Sequence, residues 1–204
     1  MKKKIIVDIL MFILMLLEFQ RNYLPTIIHE IIGIILLVLV IVHLVLNKNY
    51  FKNIFRKYNR SKIIMLAINI IFSTSFILSV LFGILSSQDL LKFLNIGSLS
   101  IIKLHKIFAY ICLLSLGLHL GINCSTLLKK VIKIINNKAI IYLLTIIVIC
   151  FGIYFFIDLD IFNHLIGKYG FSSNDSNIFF NLFKYLIIII SISLITNIIY
   201  KKIK

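Results

Sequence analysis

Apolar residues run through this chain in blocks the length of a membrane span, with polar and charged residues gathered between them. A helix needs about 20 predominantly apolar residues to cross the hydrocarbon core, because lipid offers no partner to an open backbone. Six segments fit: roughly 5–24, 26–47, 63–86, 100–123, 139–157 and 180–200. The first has Asp8, Glu18 and Arg21 within or beside it. Its opening, Met1-Lys-Lys-Lys before an apolar run, resembles a signal peptide, but no small-x-small cleavage site follows, so a retained helix is expected. The last segment contains Lys184, expected to snorkel towards an interface. The connections are short. The longest outer one, Asp158 to Asn177, has Gly167, Gly170 and a Ser/Asn-rich end and reads as a loop. The pattern predicts an all-α integral membrane helical bundle of six transmembrane helices. It forms a single domain over residues 1–204, with a four-helix core at 4–124 and two further spans at 139–200.

Composition agrees. The chain is 61% hydrophobic with a mean hydropathy of +1.07, where a soluble domain is roughly 45–50% apolar. Only 14% of residues are charged, yet the net charge is +15. In a nucleic-acid binder such a surplus marks a phosphate-binding face; here it follows topology. Lys2 to Lys4, the 48–62 loop, the 125–138 loop and the Lys201, Lys202, Lys204 tail hold 16 of the 22 basic residues. With six spans all four clusters fall on one side, which the positive-inside rule makes cytoplasmic, with both termini. A count of five or seven scatters them. Cys112, Cys124 and Cys150 make no closed disulfide framework, and no Cys-x-x-Cys-His occurs for covalent haem attachment.

Four of the five histidines form two matched pairs. His29 and His43 are 14 residues apart in the second span, and His105 and His119 are 14 apart in the fourth. Fourteen residues rise about 21 Å and rotate to within about 40° of the starting face. Each helix therefore offers two imidazoles on one face, one near each leaflet. Spans two and four run the same way, so His29 faces His105 near the outer surface and His43 faces His119 deeper. A bis-imidazole pair is what a six-coordinate b-type haem needs, and it suits electron transfer rather than oxygen chemistry. Two haems b are expected, with His29, His105, His43 and His119 as axial ligands. Small residues on the same faces, Gly33 in span two and Ala109, Cys112 and Ser115 in span four, let a flat macrocycle approach or let helices pack.

Competing readings remain open at this stage. Structural histidines bonded within the bundle would serve a haem-free small transporter or structural subunit. A proton relay needs carboxylates beside the deep histidines, and the spacing places none there. Zinc needs three or four ligands, and each level has two. A quinol-oxidising subunit needs a polar pocket, for which Asn69, Ser73 and Ser75 are candidates. Glu30 either orients the neighbouring His29 or marks the interface. Arg21, Lys103 and Lys106 suit haem propionates or snorkelling equally. His164 sits in the outer loop, and Asp8 is expected to point inward or to mark the cytoplasmic boundary.

The chain resembles the flavinylation-associated cytochrome domain, a bacterial integral-membrane family. The resemblance lies in Asp8 in the first helix, then His29-Glu30-x-x-Gly33 leading to His43 and Asn47. It continues through Ser79-x-x-x-Gly83, Leu104-His105-Lys106 and Gly117-x-His119, covering about residues 4 to 124. Glu18-Phe-Gln-Arg departs from the small-residue turn expected there. The resemblance implies a conduit in the bacterial cytoplasmic membrane. It would carry electrons from a quinol or cytoplasmic donor to an extracytoplasmic FMN-binding protein, with membrane lipid around it and no nucleic-acid partner. Ferric-reductase-like and hydrogenase-type cytochromes b share the logic of two histidines per helix.

Overall fold

The computed structural model describes residues 2–50, 59–123, 137–168 and 177–203. Lys52, Arg56 and Lys57, Lys129, Lys130 and Lys133, Cys124, Lys204, and Gly170 with the Ser/Asn-rich end of its loop lie outside the described residues. Those described form helices and no strand: α1 (Lys2–Glu18), α2 (Thr26–Leu46), α3 (Arg60–Leu85), a 3-10 turn (Lys92–Leu94), α4 (Leu99–Asn123), α5 (Lys138–Asp158), the short α6 (Ile161–Leu165) and α7 (Ile178–Ile203). Asparagines mark two of the starts. Asn59 Oδ1 accepts from Lys62 N, and Asn137 Oδ1 from Ala139 N and Ile140 N, satisfying donors that a helix start leaves open.

Five helices, α2, α3, α4, α5 and α7, are long and apolar enough to cross a membrane, with mean hydropathies from 1.7 to 2.8. This is the make-up of a multi-pass membrane protein. The expected first span is shorter than its 5–24 reading. α1 has 17 residues, a rise of about 25 Å against a hydrocarbon core of about 30 Å. Its apolar run stops at Glu18, and the chain turns at Gln20, whose carbonyl accepts from Tyr23 N and Leu24 N. Pro25, with φ −53°, then precedes the first turn of α2; it has no N–H to donate and disfavours helix at the residue before it.

α4 is the centre of the bundle, packed most extensively against α3 on one side and α7 on the other, while α5 packs on α7. Lipid tails are as apolar as leucine, so close backbone approach must do much of the work. A Cβ on Gly121 would lie 2.6 Å from Ser193 O and 2.6 Å from Thr196 Cβ, and one on Gly117 would lie 2.8 Å from Ile192 Cβ. Both glycines therefore bring α4 against α7. Gly152 does the same for α5, with Ser191 in the space. Leu113, Leu116, Ile188, Ile189 and Phe155 fill the core these helices share.

Lys184 does not snorkel. It is 3% exposed, its Nζ is 2.5 Å from Asp158 Oδ2, and the Phe180 ring lies 4.9 Å from the ammonium. A charge inside a bundle costs least when paired, and Asp158 at the end of α5 supplies the partner.

The first two helices stand apart. α1 and α2 pack on each other, and α1 touches α7, but α2 makes no broad contact with α3 or α4. Leu36 is the one buried residue of α2. Between the α1–α2 hairpin and the α3–α4 hairpin lies a cleft.

Candidate functional site

His29 and His105 line that cleft, His43 and His119 lie further along the same two helices, and each of the four has a polar neighbour within its own hairpin. On α2, His43 Nδ1 donates to Asp8 Oδ1 of α1 at 2.7 Å, and His29 Nδ1 lies 3.0 Å from Glu18 Oε2 of α1. On α4, His105 Nδ1 donates to the Ser79 carbonyl of α3 at 2.8 Å, and His119 Nδ1 donates to Asn69 Oδ1 of α3 at 2.8 Å. The odd helix supplies an acceptor and the even helix the imidazole, twice over. An acceptor at Nδ1 fixes the tautomer of His43, His105 and His119, leaving Nε2 as the lone-pair nitrogen of those rings. The His29–Glu18 approach is close but misaligned. His29 Nδ1 and Glu18 Oε1 are both buried without a hydrogen bond, so this pair is a close polar contact and not a formed bond.

The deep level repeats a second detail. Asn47 and Asn123, each one turn beyond a histidine, donate from Nδ2 to the carbonyls of His43 and His119 at 2.9 Å. Lys4 Nζ donates to Asn47 Oδ1, and Asn69 Nδ2 donates to Tyr50 OH at 2.6 Å. Asn69 is therefore engaged on both sides of its amide. Ser73 is exposed and Ser75 is buried against Ser115 Oγ, so the three candidates for a quinol pocket do not form one.

Between the hairpins the His29 and His105 rings meet with centroids 6.2 Å apart and planes at 83°. They line a cavity of about 540 Å³, within the range of roughly 300–1,000 Å³ typical of cofactor sites. Ala109, Cys112 and Gly33 line it, while Ser115 is buried against α3 instead. Gly83 makes room for His105: a Cβ there would meet ring Cε1 at 3.1 Å. Arg21 and Lys106 are the cationic residues on the wall. Lys103 packs beside Gly167 and does not line the cavity. Further along α4 the His119 ring is 5.2 Å from Phe72.

Glu30 does not orient His29. Its carboxylate accepts from Ser87 Oγ at 2.8 Å, Gln88 N at 2.7 Å, Asp89 N at 3.2 Å and Leu90 N at 2.7 Å, pinning the α3–α4 connection at the cavity mouth. His164 is on α6 and stacks on Tyr110, with centroids 4.5 Å apart and planes at 2°, at the cavity's far wall.

No family model, curated protein or solved structure matches this chain. The site therefore stands on its own geometry. Among the described residues no group of three or more His, Cys, Asp or Glu side chains converges as a metal centre; each level offers two imidazoles. The expectation that no carboxylate reaches a deep histidine is overturned by Asp8, whose turn of α1 faces His43. Sequence reasoning also missed Asn123, although His-x-x-x-Asn recurs in both helices.

Proposed function

We propose that this chain is a di-haem b-type membrane cytochrome that carries electrons across the bacterial cytoplasmic membrane. His29 and His105 would hold one haem, and His43 and His119 the other. One observation carries the reading: four imidazoles on two helices of the same register, three with Nδ1 held by an acceptor on their own hairpin and the fourth, His29, beside the Glu18 carboxyl. Metal-bound histidines characteristically donate the second ring nitrogen to a carboxylate or carbonyl.

The outer level fits the group further. Two metal–imidazole bonds of about 2 Å each, plus the distance from each nitrogen to its ring centre, come to about 6 Å. The His29 and His105 centroids are 6.2 Å apart. Arg21 and Lys106 on the cavity wall suit two propionates. The slack contact between the hairpins is what a flat guest between them would require. Held by two imidazoles, haem would supply one-electron transfer. The acceptors on α1 and α3 would orient the rings, and Arg21 and Lys106 would offset the propionate charge.

In this reading α1 completes a six-helix topology with both termini cytoplasmic, since that arrangement gathers the basic clusters on one side. The partners follow from the resemblance to flavinylation-associated cytochromes: a quinol or cytoplasmic donor, and an extracytoplasmic protein bearing FMN. A proton relay is the second reading, favoured by the Asp8–His43 and Glu18–His29 contacts.

Purified protein decides between them. Two haems per chain with a reduced-minus-oxidised b-type spectrum are expected, and replacing His43 or His119 by Ala removes one. Colourless protein from haem-replete cells refutes the cytochrome and leaves the relay.

A further inference from the structure

The four imidazoles are not held alike. On α2, His43 is bonded to the Asp8 carboxylate of α1 and His29 lies 3.0 Å from Glu18 without a formed hydrogen bond, while both imidazoles on α4 bond neutral oxygens of α3, the Ser79 carbonyl and the Asn69 amide. Each level thus pairs an imidazole beside an acid of α1 with one held by a neutral group of α3. We propose that α1 is a tuning helix, with Asp8 and Glu18 as positioning residues that make His43 and His29 the stronger electron donors at their levels and lower the reduction potentials of both sites. This rests on the cytochrome reading above.

Three observations support it. α1 contributes no histidine, yet places an acid at each level, and an acid in an apolar helix is costly and marks function. The cations beside those acids are committed elsewhere: Lys4 Nζ bonds Asn47 Oδ1, and Arg21 bonds the Leu24 carbonyl and Thr26 Oγ1. Each acid is left in contact with an imidazole, and among the described residues the remaining ion pair is Lys184–Asp158. A carboxylate drawing on Nδ1–H raises the basicity of Nε2, which favours the more positive, oxidised metal. A carbonyl or amide does so more weakly, because hydrogen bonds to ionised groups are about twice as strong as neutral ones.

The test compares Asp8→Asn and Glu18→Gln with the wild type in potentiometric titrations monitored optically, alongside haem content and low-spin electron paramagnetic resonance. Each variant is expected to raise one of the two midpoint potentials, a different one in each case. Haem loss to a scavenger should accelerate about 10–100-fold, the usual cost of an outer-shell partner. Should either variant fail to retain haem, Asp8→Glu and Glu18→Asp decide, since keeping the carboxylate should restore haem and a near-wild-type potential. Two haems with unmoved potentials in both variants overturn this inference alone. So do carboxylate-retaining variants as defective as the amides. A colourless wild type removes the cytochrome reading and this inference together.

Discussion

Gly83 on α3 and His105 on α4 share one space: a Cβ on the glycine would lie 3.1 Å from the imidazole Cε1 and 3.2 Å from Nδ1. Gly83→Ala asks the ring to give by a few tenths of an ångström, but Gly83→Leu displaces it. In the cytochrome reading the leucine variant should fall from two haems per chain to one, with the deep pair intact. Haem-to-protein ratio measures this, and two retained haems would show that His105 is not a ligand where it stands.

The Glu30 carboxylate holds the Ser87–Leu90 turn through four hydrogen bonds. Bonds to an ionised acceptor contribute about 1.5–3 kcal/mol each. Glu30→Ala should therefore speed amide exchange at Gln88 and Leu90 by about tenfold or more, while α4 amides stay protected. Unchanged exchange at those two amides would mean the turn is held by Asn95, which donates to the Ser87 carbonyl at 2.7 Å.

Lys184 and Asp158 invite a double-mutant cycle. Removing one partner of a buried pair costs about 3–5 kcal/mol, whereas replacing both by apolar groups is close to neutral. Lys184→Met should lower the thermal midpoint in detergent sharply, and Lys184→Met with Asp158→Leu should recover most of it. Additive losses would show that the two charges do not depend on each other.

His164 supplies a pH dependence. Burial, and then the nearby Lys106 ammonium, hold its pKa below the ordinary imidazole value, with Asp160 opposing. The unfolded chain, titrating near about 6.5, then binds more protons than the folded one as the pH falls. Stability is full above that value and is lost as pH drops through it towards the lower folded pKa. His164→Phe keeps a ring to stack on Tyr110 and removes the titration. The variant should lose less stability than the wild type between about pH 7.5 and 5.5; equal losses would place the pH response elsewhere.

Five membrane-length helices and the histidine register were legible in the sequence because both are periodic properties of single helices. The 14-residue spacing states which face and depth each imidazole takes. What faces it from the neighbouring helix is another matter. Asp8 is an isolated acid until α1 is docked on α2, and nothing local distinguishes it from a boundary residue. Glu30 adjoins His29 in sequence, but a helix turns successive side chains about 100° apart, so it reaches the turn beyond α3 instead. Lys184 reads as a snorkelling residue because Asp158 is 26 residues away and on another helix. Gly117, read beside His119, in fact serves the packing against α7. These relations depend on how helices rotate about their axes, which hydropathy does not encode.

The first hairpin is fastened to the rest by polar bonds at both ends and by a few side chains between them. Glu30 ties its outer end to the Ser87–Leu90 turn, and Gln20 accepts from Asn181 on α7. At the opposite end Tyr50 meets Asn69. In lipid, apolar contact along the flank supplies little reason to stay closed. These polar clasps fix the register of one hairpin against the other at both ends, with Met15 and Leu36 reaching Phe76 and Cys112 in the shared core between them.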